Sequence, residues 1–353
     1  MNDFSESIIE WYEKNKRDLP WRNTNNPYYI WISEVILQQT RVDQGLPYYI
    51  KFIESFPQIE LLAQAPQDEV LRLWQGLGYY SRGRNLHFTA KQIVDDFGGI
   101  FPTEYENLIR LKGIGSYTAS AISSFCNNEH RAVVDGNVYR VLSRYFGIDT
   151  DISSNQAKKQ FQELAESLLN KKKSGQHNQA IMEFGALQCV PKNPSCHKCP
   201  LQNSCAALQN KMVDRLPVKT KKIKSKKRYF NYLMIIDEDE RVLVNKRTSG
   251  DIWEGLYEFP LVETDDEMNY HTIASNPAFK KITRERKYNI AAVSNVFKHQ
   301  LTHQTIYCKF FTLKIKDCAN ETLFSIVSWN EFDKYPKPIL IQRFYQINRL
   351  KMK

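Results

Sequence analysis

Four cysteines in one short segment restrict the folds open to this chain. They lie within 17 residues with the spacing C-x6-C-x2-C-x5-C, as Cys189, Cys196, Cys199 and Cys205. Four thiolates this close in sequence are ligands for an iron–sulfur cluster or for a zinc ion. The other three cysteines are scattered (Cys126, Cys308 and Cys318). In a reducing compartment this pattern favours a metal group over disulfide bonds.

Length and composition indicate a soluble protein of more than one domain. A chain of 353 residues can form two or three domains, each with its own core. Hydrophobic residues make up 42% and charged residues 25%, as in globular proteins, and no apolar run reaches the length of a membrane span. The first residues lack the apolar core of a signal peptide, so we expect a cytoplasmic protein. A net charge of +10 favours a polyanionic partner such as nucleic acid.

The hydrophobic pattern changes period along the chain. Residues 4 to about 212 have apolar positions at helical spacing, interrupted by proline and glycine. Residues 214–228 form a basic linker, in which seven of the ten residues from Lys219 to Arg228 are basic. From residue 229 the period becomes two, which predicts an α+β domain over 229–353. Its predicted elements are a hairpin (Tyr229–Ile236 with Arg241–Lys246), two later strands (Val293–Phe297 and Thr305–Ile315) and a closing helix (Pro338–Leu350).

A glycine turn separates two amphipathic stretches in the helical half. Gly113 and Gly115 stand in Leu111-Lys112-Gly113-Ile114-Gly115, ahead of the stretch Tyr117–Phe125. Glycines let a backbone approach a ligand closely, and the amides at a helix start favour an anion. A DNA phosphate suits such a site. The alternative is a tight turn between two helices without any ligand.

Glu34 lies on an apolar helical stripe. Ile30, Trp31 and Leu37 fall four before, three before and three after it, and so share its face. Burial favours the neutral carboxyl and raises its pKa, which suits a general acid. A surface glutamate remains the alternative.

Asp135 ends the apolar run Ala132-Val133-Val134 and precedes a helical pattern. This position predicts a helix cap, whose amide hydrogen bonds favour the ionised form. Hydrolysis of a glycosidic bond requires one carboxylic acid and one carboxylate with separated pKa values. Glu34 and Asp135 are the candidates for these two roles.

The cysteine spacing, the glycine turn and Val134-Asp135-Gly136-Asn137 together resemble the iron–sulfur branch of the helix–hairpin–helix DNA glycosylases. The similarity is closest to the MutY family of adenine-specific mismatch glycosylases, and it is dense over residues 4 to about 218. Further segments carry it: Leu19-Pro20-Trp21-Arg22, Ser33–Thr40, Gly76-Leu77-Gly78-Tyr79-Tyr80-Ser81-Arg82, and Asn178-Gln179-Ala180 before Gly185-Ala186-Leu187.

The resemblance implies an all-α helix–hairpin–helix glycosylase region with a 4Fe–4S cluster loop, followed by a C-terminal α+β Nudix-like domain. Residues 1–213 would be catalytic, with a six-helix module at about 22–130 and an iron–sulfur module formed by the N-terminal segment and 131–213. Residues 229–353 would recognise 8-oxoguanine; their best match is Trp253-Glu254-Gly255-Leu256-Tyr257-Glu258-Phe259-Pro260. The segment after Glu263 lacks the R-E-x-x-E-E pattern that a magnesium-dependent Nudix hydrolase needs, so diphosphate hydrolysis is not expected.

The implied activity is removal of adenine mispaired with 8-oxoguanine, the first step of base excision repair. The partner would be double-stranded DNA, acted on by a monomer associated with the nucleoid. The implied catalytic residues are Glu34, Asp135, Tyr117 and Asn137. The implied adenine pocket is Arg17, Trp21, Leu37, Gln179 and Met182. The residues implied to contact the opposite base are Gln39, Thr40, Leu77 and Tyr79, and Tyr79 would insert into the base stack as a wedge. Gly113 and Gly115 would contact the DNA backbone.

A recognition loop is implied in the C-terminal domain. The family's H-x-F-S-H pattern appears here as His299-Gln300-Leu301-Thr302-His303, in which Leu301 replaces an aromatic residue and Thr302 a serine. Threonine retains the hydroxyl but is stiffer, so the preference between oxidised and ordinary guanine stays open. The alternative is that these histidines lie at the edge of a strand and have no role in recognition.

Two choices of chemistry remain at this point. Related endonuclease III-type enzymes have a nucleophilic lysine where this chain has Tyr117, and a phenol cannot form an imine, so we expect a glycosylase without strong lyase activity. The implied cofactor is a 4Fe–4S cluster held by Cys189, Cys196, Cys199 and Cys205, with zinc as the alternative. The competing functions are removal of oxidised pyrimidines with strand cleavage, and DNA binding without catalysis.

Overall fold

The protein forms two compact units in a computed structural model that describes residues 2–220, 225–284, 286–318 and 321–349. The first unit comprises residues 1–64 and 85–221, and the second comprises residues 65–84 and 222–353. A segment from the helical half of the sequence, 65–84, therefore belongs with the C-terminal residues. The predicted linker 214–228 includes residues 221–224, which lie outside the described residues.

The elements from Asn2 to Gln209 are helices, as the 3.6-residue period over residues 4 to about 212 predicts. The α-helices are α1 (Asn2–Asn15), α2 (Pro27–Leu37), α3 (Val42–Ser55), α4 (Ile59–Gln64), α5 (Gln67–Leu73), α6 (Tyr80–Phe97), α7 (Tyr105–Leu108), α8 (Ser116–Asn127), α9 (Gly136–Phe146), α10 (Asn155–Leu168), α11 (Ser174–Leu187) and α12 (Ala206–Gln209). Three short 3₁₀ helices cover Pro20–Arg22, Lys171–Lys173 and Cys196–Lys198.

Local sequence explains where the helices near the site begin and end. The Asn26 side chain accepts a hydrogen bond from the Tyr28 amide, and Pro27 occupies the first turn of α2. Asp135 caps α9 through the amides of Asn137 and Val138. Gly147 ends α9 with φ of 70°, a conformation in which glycine has no Cβ to clash.

The chain's first helix packs among later ones. Ile8 of α1, Val138 and Leu142 of α9, Phe161 of α10 and Phe184 of α11 belong to one buried cluster. The Ser5 hydroxyl and the His177 ring nitrogen Nδ1 are 2.8 Å apart. This packing brings the segment that follows α1, which includes Arg17, beside α11.

The second unit contains a mixed sheet. Its strands are β1 (Lys226–Ile236), β2 (Arg241–Lys246), β3 (Tyr257–Glu258), β4 (Leu261–Thr264), β5 (Tyr288–Val293), β6 (Phe297–Gln300), β7 (Gln304–Ile315) and β8 (Ser325–Ser328). The main order is β3-β2-β1-β7-β5; β4 also pairs with β1, β6 with β7 and β8 with β2. β1 and β7 run parallel, and β6 and β7 form an antiparallel hairpin. The helices among the described residues of 222–353 are α13 (Tyr270–Ala274), α14 (Pro277–Thr283), α15 (Trp329–Lys334) and α16 (Ile339–Arg349).

The strand predictions are confirmed except one. β1 and β2 pair antiparallel as predicted, and β7 covers the predicted Thr305–Ile315. The predicted strand Val293–Phe297 is wrong, because pairing with β7 stops at Val293 and resumes at Phe297. Between them the Ser294 amide and hydroxyl both hydrogen-bond the backbone of Phe310, which interrupts the ladder. Among the described residues, none of the helices combines the length and apolar character needed to cross a bilayer.

Candidate active site

A cavity of about 820 Å³ opens in the first unit. Glu34 from α2, Tyr117 from α8 and Asp135 ahead of α9 face it together with Gln179 and Met182 from α11. Its remaining lining includes other residues that sequence analysis singled out: Arg17, Trp21, Leu37, Gln39, Thr40 and Asn137. The cavity volume falls within the range of small-molecule sites and accommodates a purine.

Glu34 is buried, with 8% of its surface exposed. Burial raises the pKa of Glu34 to about 7; a hydrogen bond from Tyr117 and the charge of Arg22 lower it, and the Asp135 charge raises it. Desolvation is the largest of these effects because the apolar face of α2 surrounds the carboxyl. Glu34 is therefore a carboxylic acid that retains its proton close to neutral pH.

Tyr117 links the two carboxyl groups electrostatically. Its phenol hydrogen-bonds Glu34, and burial raises the pKa of Tyr117 well above its usual range, with contributions from the charges of Glu34 and Asp135. A phenol whose pKa is raised stays protonated and donates to Glu34. The side chain thus orients Glu34 without competing for its proton.

Asp135 accepts three hydrogen bonds at the start of α9. The amides of Asn137 and Val138 each donate to Oδ1 at 2.8 Å, and Asn137 Nδ2 donates to Oδ2 at 2.8 Å. Burial raises the pKa of Asp135 above its usual range, although these bonds and the charge of Arg140 lower it. The cap is present as the sequence predicts. Desolvation nevertheless has a larger effect than the hydrogen bonds of the cap, so the pKa of Asp135 rises.

Arg140 connects this carboxylate to the cysteine segment. Its Nη2 donates to Asn137 Oδ1 at 2.8 Å and to the Gly185 carbonyl at 2.6 Å. Its Nε donates to the Cys189 carbonyl at 2.7 Å. Sequence reasoning did not single out Arg140, although its position one turn after Asn137 on an amphipathic helix was a usable signal.

Glu183 forms a second acidic centre that sequence reasoning missed. Arg17 and Arg22 each bind its carboxylate with two nitrogens, at 2.6–2.8 Å, and only 1% of its side chain is exposed. Desolvation opposes ionisation, but the two guanidinium groups lower the pKa of Glu183 to about 2. The triad thereby holds Arg17 at the cavity wall. A lone acid in the apolar run Ile181-Met182-Glu183-Phe184 was the available signal.

Gln179 has a fixed orientation in the cavity. The Tyr12 hydroxyl donates to its Oε1 at 2.7 Å, which directs the amide nitrogen elsewhere. Gln39, at the end of α2, adopts φ of 60°. A non-glycine residue in this region carries a conformational cost and is frequent at functional sites.

The glycine turn precedes α8 with its backbone exposed. Gly113 has φ of 80°, and a Cβ there would approach Asn85 Cβ to 2.7 Å, so a larger residue does not fit. Gly115 occupies the cap position of α8 in an extended conformation. Exposed amides at a helix start can bind an anion.

The four window cysteines influence one another electrostatically. Burial raises the pKa of Cys199 to about 11, and the charges of Cys189, Cys205 and Cys196 raise it further. Arg144, which is 3% exposed, donates to Cys189 Sγ at 3.4 Å and to the carbonyls of Val190 and Pro191. Within the described ranges, however, no group of three or more His, Cys, Asp or Glu side chains has the geometry of a single-ion site.

The remaining predicted contacts to an opposite base lie in the second unit. Leu301–His303 form the turn of the β6–β7 hairpin, and the Thr302 hydroxyl lies 2.5 Å from the Tyr79 hydroxyl. Tyr79 is 48% exposed and adopts φ of 47°. The His299 ring lies 5.9 Å from that of Trp253. Leu77 is 7% exposed, so a contact between its side chain and a base requires the loop to move.

Comparison with known proteins accounts for both parts of the chain. The model of the HhH-GPD superfamily of base excision DNA repair proteins matches residues 32–167, and that of the NUDIX domain matches residues 231–346. Among solved structures, a thermostable thymine-DNA glycosylase matches with a TM-score of 0.55 and 31% identity, over 59% of this chain and 95% of its own. An endonuclease III in complex with DNA matches with a TM-score of 0.52, over 59% of this chain and 95% of its own; at 19% identity it shows the fold alone.

Curated relatives extend over most of the chain. An adenine DNA glycosylase of Buchnera aphidicola subsp. Baizongia pistaciae is 39% identical over 307 residues, 86% of this chain and 84% of the relative. That of the subspecies from Acyrthosiphon pisum is 36% identical over 303 residues, 85% and 83% of the two chains. The Homo sapiens adenine DNA glycosylase is 43% identical over 215 residues, 58% of this chain and 39% of its own. On this similarity, the chain belongs to the adenine DNA glycosylase (MutY) family.

Proposed function

We propose that this protein removes adenine mispaired with 8-oxoguanine from double-stranded DNA, as the first step of base excision repair. The observation that carries the proposal is the pair Glu34 and Asp135 facing one cavity of about 820 Å³. Burial raises the pKa of both carboxyl groups, that of Glu34 to about 7, but at Asp135 three hydrogen bonds and the charge of Arg140 oppose the rise and favour the ionised form. One group is suited to donate a proton and the other to balance positive charge.

Each side chain has a role in the proposed hydrolysis. Glu34 protonates a nitrogen in the five-membered ring of adenine, which makes the base a better leaving group. As the N-glycosidic bond breaks, Asp135 stabilises the oxocarbenium-like sugar or forms a covalent bond to its anomeric carbon, and water then adds to that carbon. Tyr117 orients Glu34, and Asn137 holds the Asp135 carboxylate by its Oδ2.

The flipped base would occupy the wall formed by α2 and α11. Arg17, Trp21, Leu37, Gln179 and Met182 line it and present both polar and apolar surface. Because Glu183 binds Arg17 and Tyr12 binds Gln179, these polar groups are oriented before the base arrives. Preorganisation of this kind reduces the ordering cost of binding. Extrusion of a base costs a few kcal/mol, which an exposed wedge at Tyr79 would help to offset.

Recognition of 8-oxoguanine is assigned to Gln39, Thr40, Leu77 and Tyr79 together with the hairpin residues His299, Leu301, Thr302 and His303. The bond between Tyr79 and Thr302 supports this assignment, because it joins two predicted contacts that lie 223 residues apart in sequence. Gly113 and Gly115 would bind a DNA phosphate through backbone amides. The protein would act as a monomer in the cytoplasm, in association with the nucleoid.

The same site argues against strand cleavage through a Schiff base. That chemistry requires a neutral amine beside the sugar. The cavity lining contains arginines but no lysine among the described residues, and Tyr117 stands where endonuclease III-type enzymes have the nucleophile. We therefore propose a monofunctional glycosylase.

Cys189, Cys196, Cys199 and Cys205 would hold a 4Fe–4S cluster, which the family resemblance implies. A single zinc ion needs four sulfurs at about 2.3 Å from one centre. The spacing C-x6-C-x2-C-x5-C lacks the paired C-x2-C arrangement usual for structural zinc, which supports the cluster over zinc. The cluster would supply structural cross-linking of this loop; the hydrolysis itself needs no electron transfer.

A duplex with one adenine opposite 8-oxoguanine tests the proposal. We expect free adenine to be released, with strand breakage only after alkali and no adduct trapped by borohydride. Breakage without alkali would support the oxidised-pyrimidine alternative, and binding without release would support a non-catalytic DNA-binding protein. A parallel duplex with adenine opposite guanine measures the preference for the oxidised base.

The hairpin has its own test in this assay. Thr302→Ala removes the hydroxyl that meets Tyr79, and we expect it to lower the rate opposite 8-oxoguanine more than the rate opposite guanine. Thr302→Ser is the matched control because it retains the hydroxyl. An unchanged ratio of rates in Thr302→Ala would remove Thr302 from recognition.

A further inference from the structure

We infer that Asp68 and Arg84 are positioning residues for recognition of the opposite base, because they fasten the segment carrying Tyr79 to the unit carrying Thr302. The inference rests on the proposed function and goes beyond it by naming specificity-determining residues that contact neither base. The segment is 65–84, which clusters with residues 222–353. We call it the wedge segment.

Asp68 attaches the first helix of the wedge segment to two strands. Its Oδ1 accepts a hydrogen bond from Lys246 Nζ at 2.7 Å, and its Oδ2 accepts one from the Tyr257 hydroxyl at 2.9 Å. Lys246 and Tyr257 are cross-strand partners on β2 and β3. Tyr257 in turn stacks on Tyr335 at 4.2 Å, which limits its motion. One carboxylate therefore uses both oxygens to hold α5 against the sheet.

Arg84 attaches the other end of the wedge segment. Its Nη1 donates to the Glu254 carbonyl at 2.8 Å and its Nη2 to Glu254 Oε2 at 3.1 Å. Only 20% of the Arg84 side chain and 34% of the Glu254 side chain are exposed, so the pair is less screened than a surface pair.

The turn around Glu254 is shaped to receive α5. Gly255 has φ of 80°, and a Cβ there would lie 3.2 Å from Leu71 Cδ1, so helix and turn are in close contact. Trp253, with φ of 62°, belongs to the same turn and packs near His299 at the base of the recognition hairpin. The turn thus contacts the wedge segment on one side and the hairpin on the other.

Between these two attachments the chain forms the loop that presents Tyr79. Trp74 Nε1 and Arg82 Nη2 both donate to the Gly78 carbonyl, at 3.1 and 3.3 Å. With both ends and the loop held, the Tyr79 hydroxyl lies 2.5 Å from that of Thr302. Neither Asp68 nor Arg84 is among the residues that line the cavity with Glu34 and Asp135, so we expect a change at either position to alter the contact between Tyr79 and Thr302 and to leave those carboxyl groups in place.

The test compares single-turnover adenine release opposite 8-oxoguanine and opposite guanine. We expect Asp68→Asn and Arg84→Met each to lower the ratio of the two rates about tenfold. Asp95→Asn, at an exposed position of α6, is the matched control and should leave the ratio unchanged. Melting temperatures of all variants are measured alongside, so that a loss of folded protein is recognised by equal losses on both substrates.

A double-variant cycle keeps the inference open to contradiction if one variant folds poorly. Lys246→Met removes one of the two partners of Asp68, and the variant with both substitutions should lose no more discrimination than Asp68→Asn alone, since Lys246 acts through Asp68. Unchanged ratios, or equal losses with both substrates at an unchanged melting temperature, would overturn the positioning role. If the unaltered protein releases no adenine, the proposed function itself fails; if it releases adenine and the variants keep its preference, only this inference fails.

Discussion

At the scale of single residues, the environment of Glu34 decides what chemistry the cavity supports. An exposed glutamate is ionised at neutral pH and cannot donate a proton. Burial within α2 raises the pKa of Glu34 to about 7, and Tyr117 orients the carboxyl by a hydrogen bond. The helical spacing of Ile30, Trp31 and Leu37 already indicates this desolvation in the sequence.

Glu34→Gln should lower the rate of adenine excision by roughly 10²- to 10⁴-fold, since a positioned general acid contributes about that much. The amide resembles the neutral acid in shape, so duplex binding should persist. Because the protonated form is the active one, the rate of the unaltered protein should fall about tenfold per pH unit above 7. Single-turnover rates and filter binding from pH 5 to 9 measure both; near-normal turnover in the variant would remove Glu34 from this role.

The same substitution should stabilise the folded protein at high pH. The folded-state pKa of Glu34 lies above its ordinary value of 4.5, so the folded state holds this proton to higher pH and loses stability as pH rises from 4.5 to 7. At 1.36 kcal/mol per pKa unit, the difference between variant and parent should grow by about 2.5 kcal/mol between pH 5 and pH 8. Thermal melting at the two pH values measures it; an equal difference at both would contradict the raised pKa.

At the scale of elements, the start of α9 combines a helix cap and a proposed catalytic group in one carboxylate. The Asp135 side chain satisfies amides that would otherwise lack partners, and it lines the cavity that Glu34 also lines. Capping alone predicts that many polar residues would serve. Catalysis requires the charge as well.

Two substitutions separate these functions of Asp135. Asparagine is also a good cap, so Asp135→Asn should change stability by less than about 0.5 kcal/mol while lowering excision by roughly 10²-fold or more. Asp135→Ala should lower excision similarly and in addition cost about 1 kcal/mol of stability. Denaturant unfolding and single-turnover rates provide the comparison, and full activity of the asparagine variant would leave Asp135 with capping alone.

The cysteine loop is the other element with a testable role. Cys199→Ser should lower bound iron and the melting temperature, because the proposed cluster would cross-link the loop in addition to protein contacts such as that of Arg144 with Cys189. Cys126→Ser, a partly buried thiol outside the window, is the control and should retain iron. Iron analysis and visible absorption are the measurements; zinc without iron in the unaltered protein would favour the alternative metal.

At the scale of the whole molecule, sequence order and compact units do not coincide. Residues 65–84 lie inside the helical half of the sequence, yet they cluster with residues 222–353. The reason is specific: Asp68, Leu71 and Arg84 contact β2, β3 and the turn at Gly255. A boundary drawn from composition alone therefore separates residues that pack together.

A chain ending at residue 221 should reveal this dependence. Without the second unit's strands, α5 loses the partners of Asp68 and Leu71, so amide exchange over Gln67–Leu73 should become faster. Exchange in α9, whose buried partners lie in the first unit, serves as the internal control. Hydrogen–deuterium exchange of both chains measures the effect, and unchanged protection of α5 would show that the first unit alone stabilises it.

The sequence alone predicted those features that depend on residues close together in the chain. The cysteine spacing, the change of period near residue 229, the Asp135 cap and the apolar face around Glu34 all follow from residues within a few positions of one another, because helical and strand periodicity act over that range. The resemblance to the MutY family added roles to these positions.

Only the tertiary structure decided which distant groups meet. Glu183 lies more than 160 residues from both Arg17 and Arg22 in sequence, and no period or cap in the chain predicts their pairing. The same holds for Tyr79 with Thr302, and for the burial that raises the pKa of Asp135 despite its cap. Desolvation and ion pairing depend on what the folded chain brings together, which local sequence does not specify.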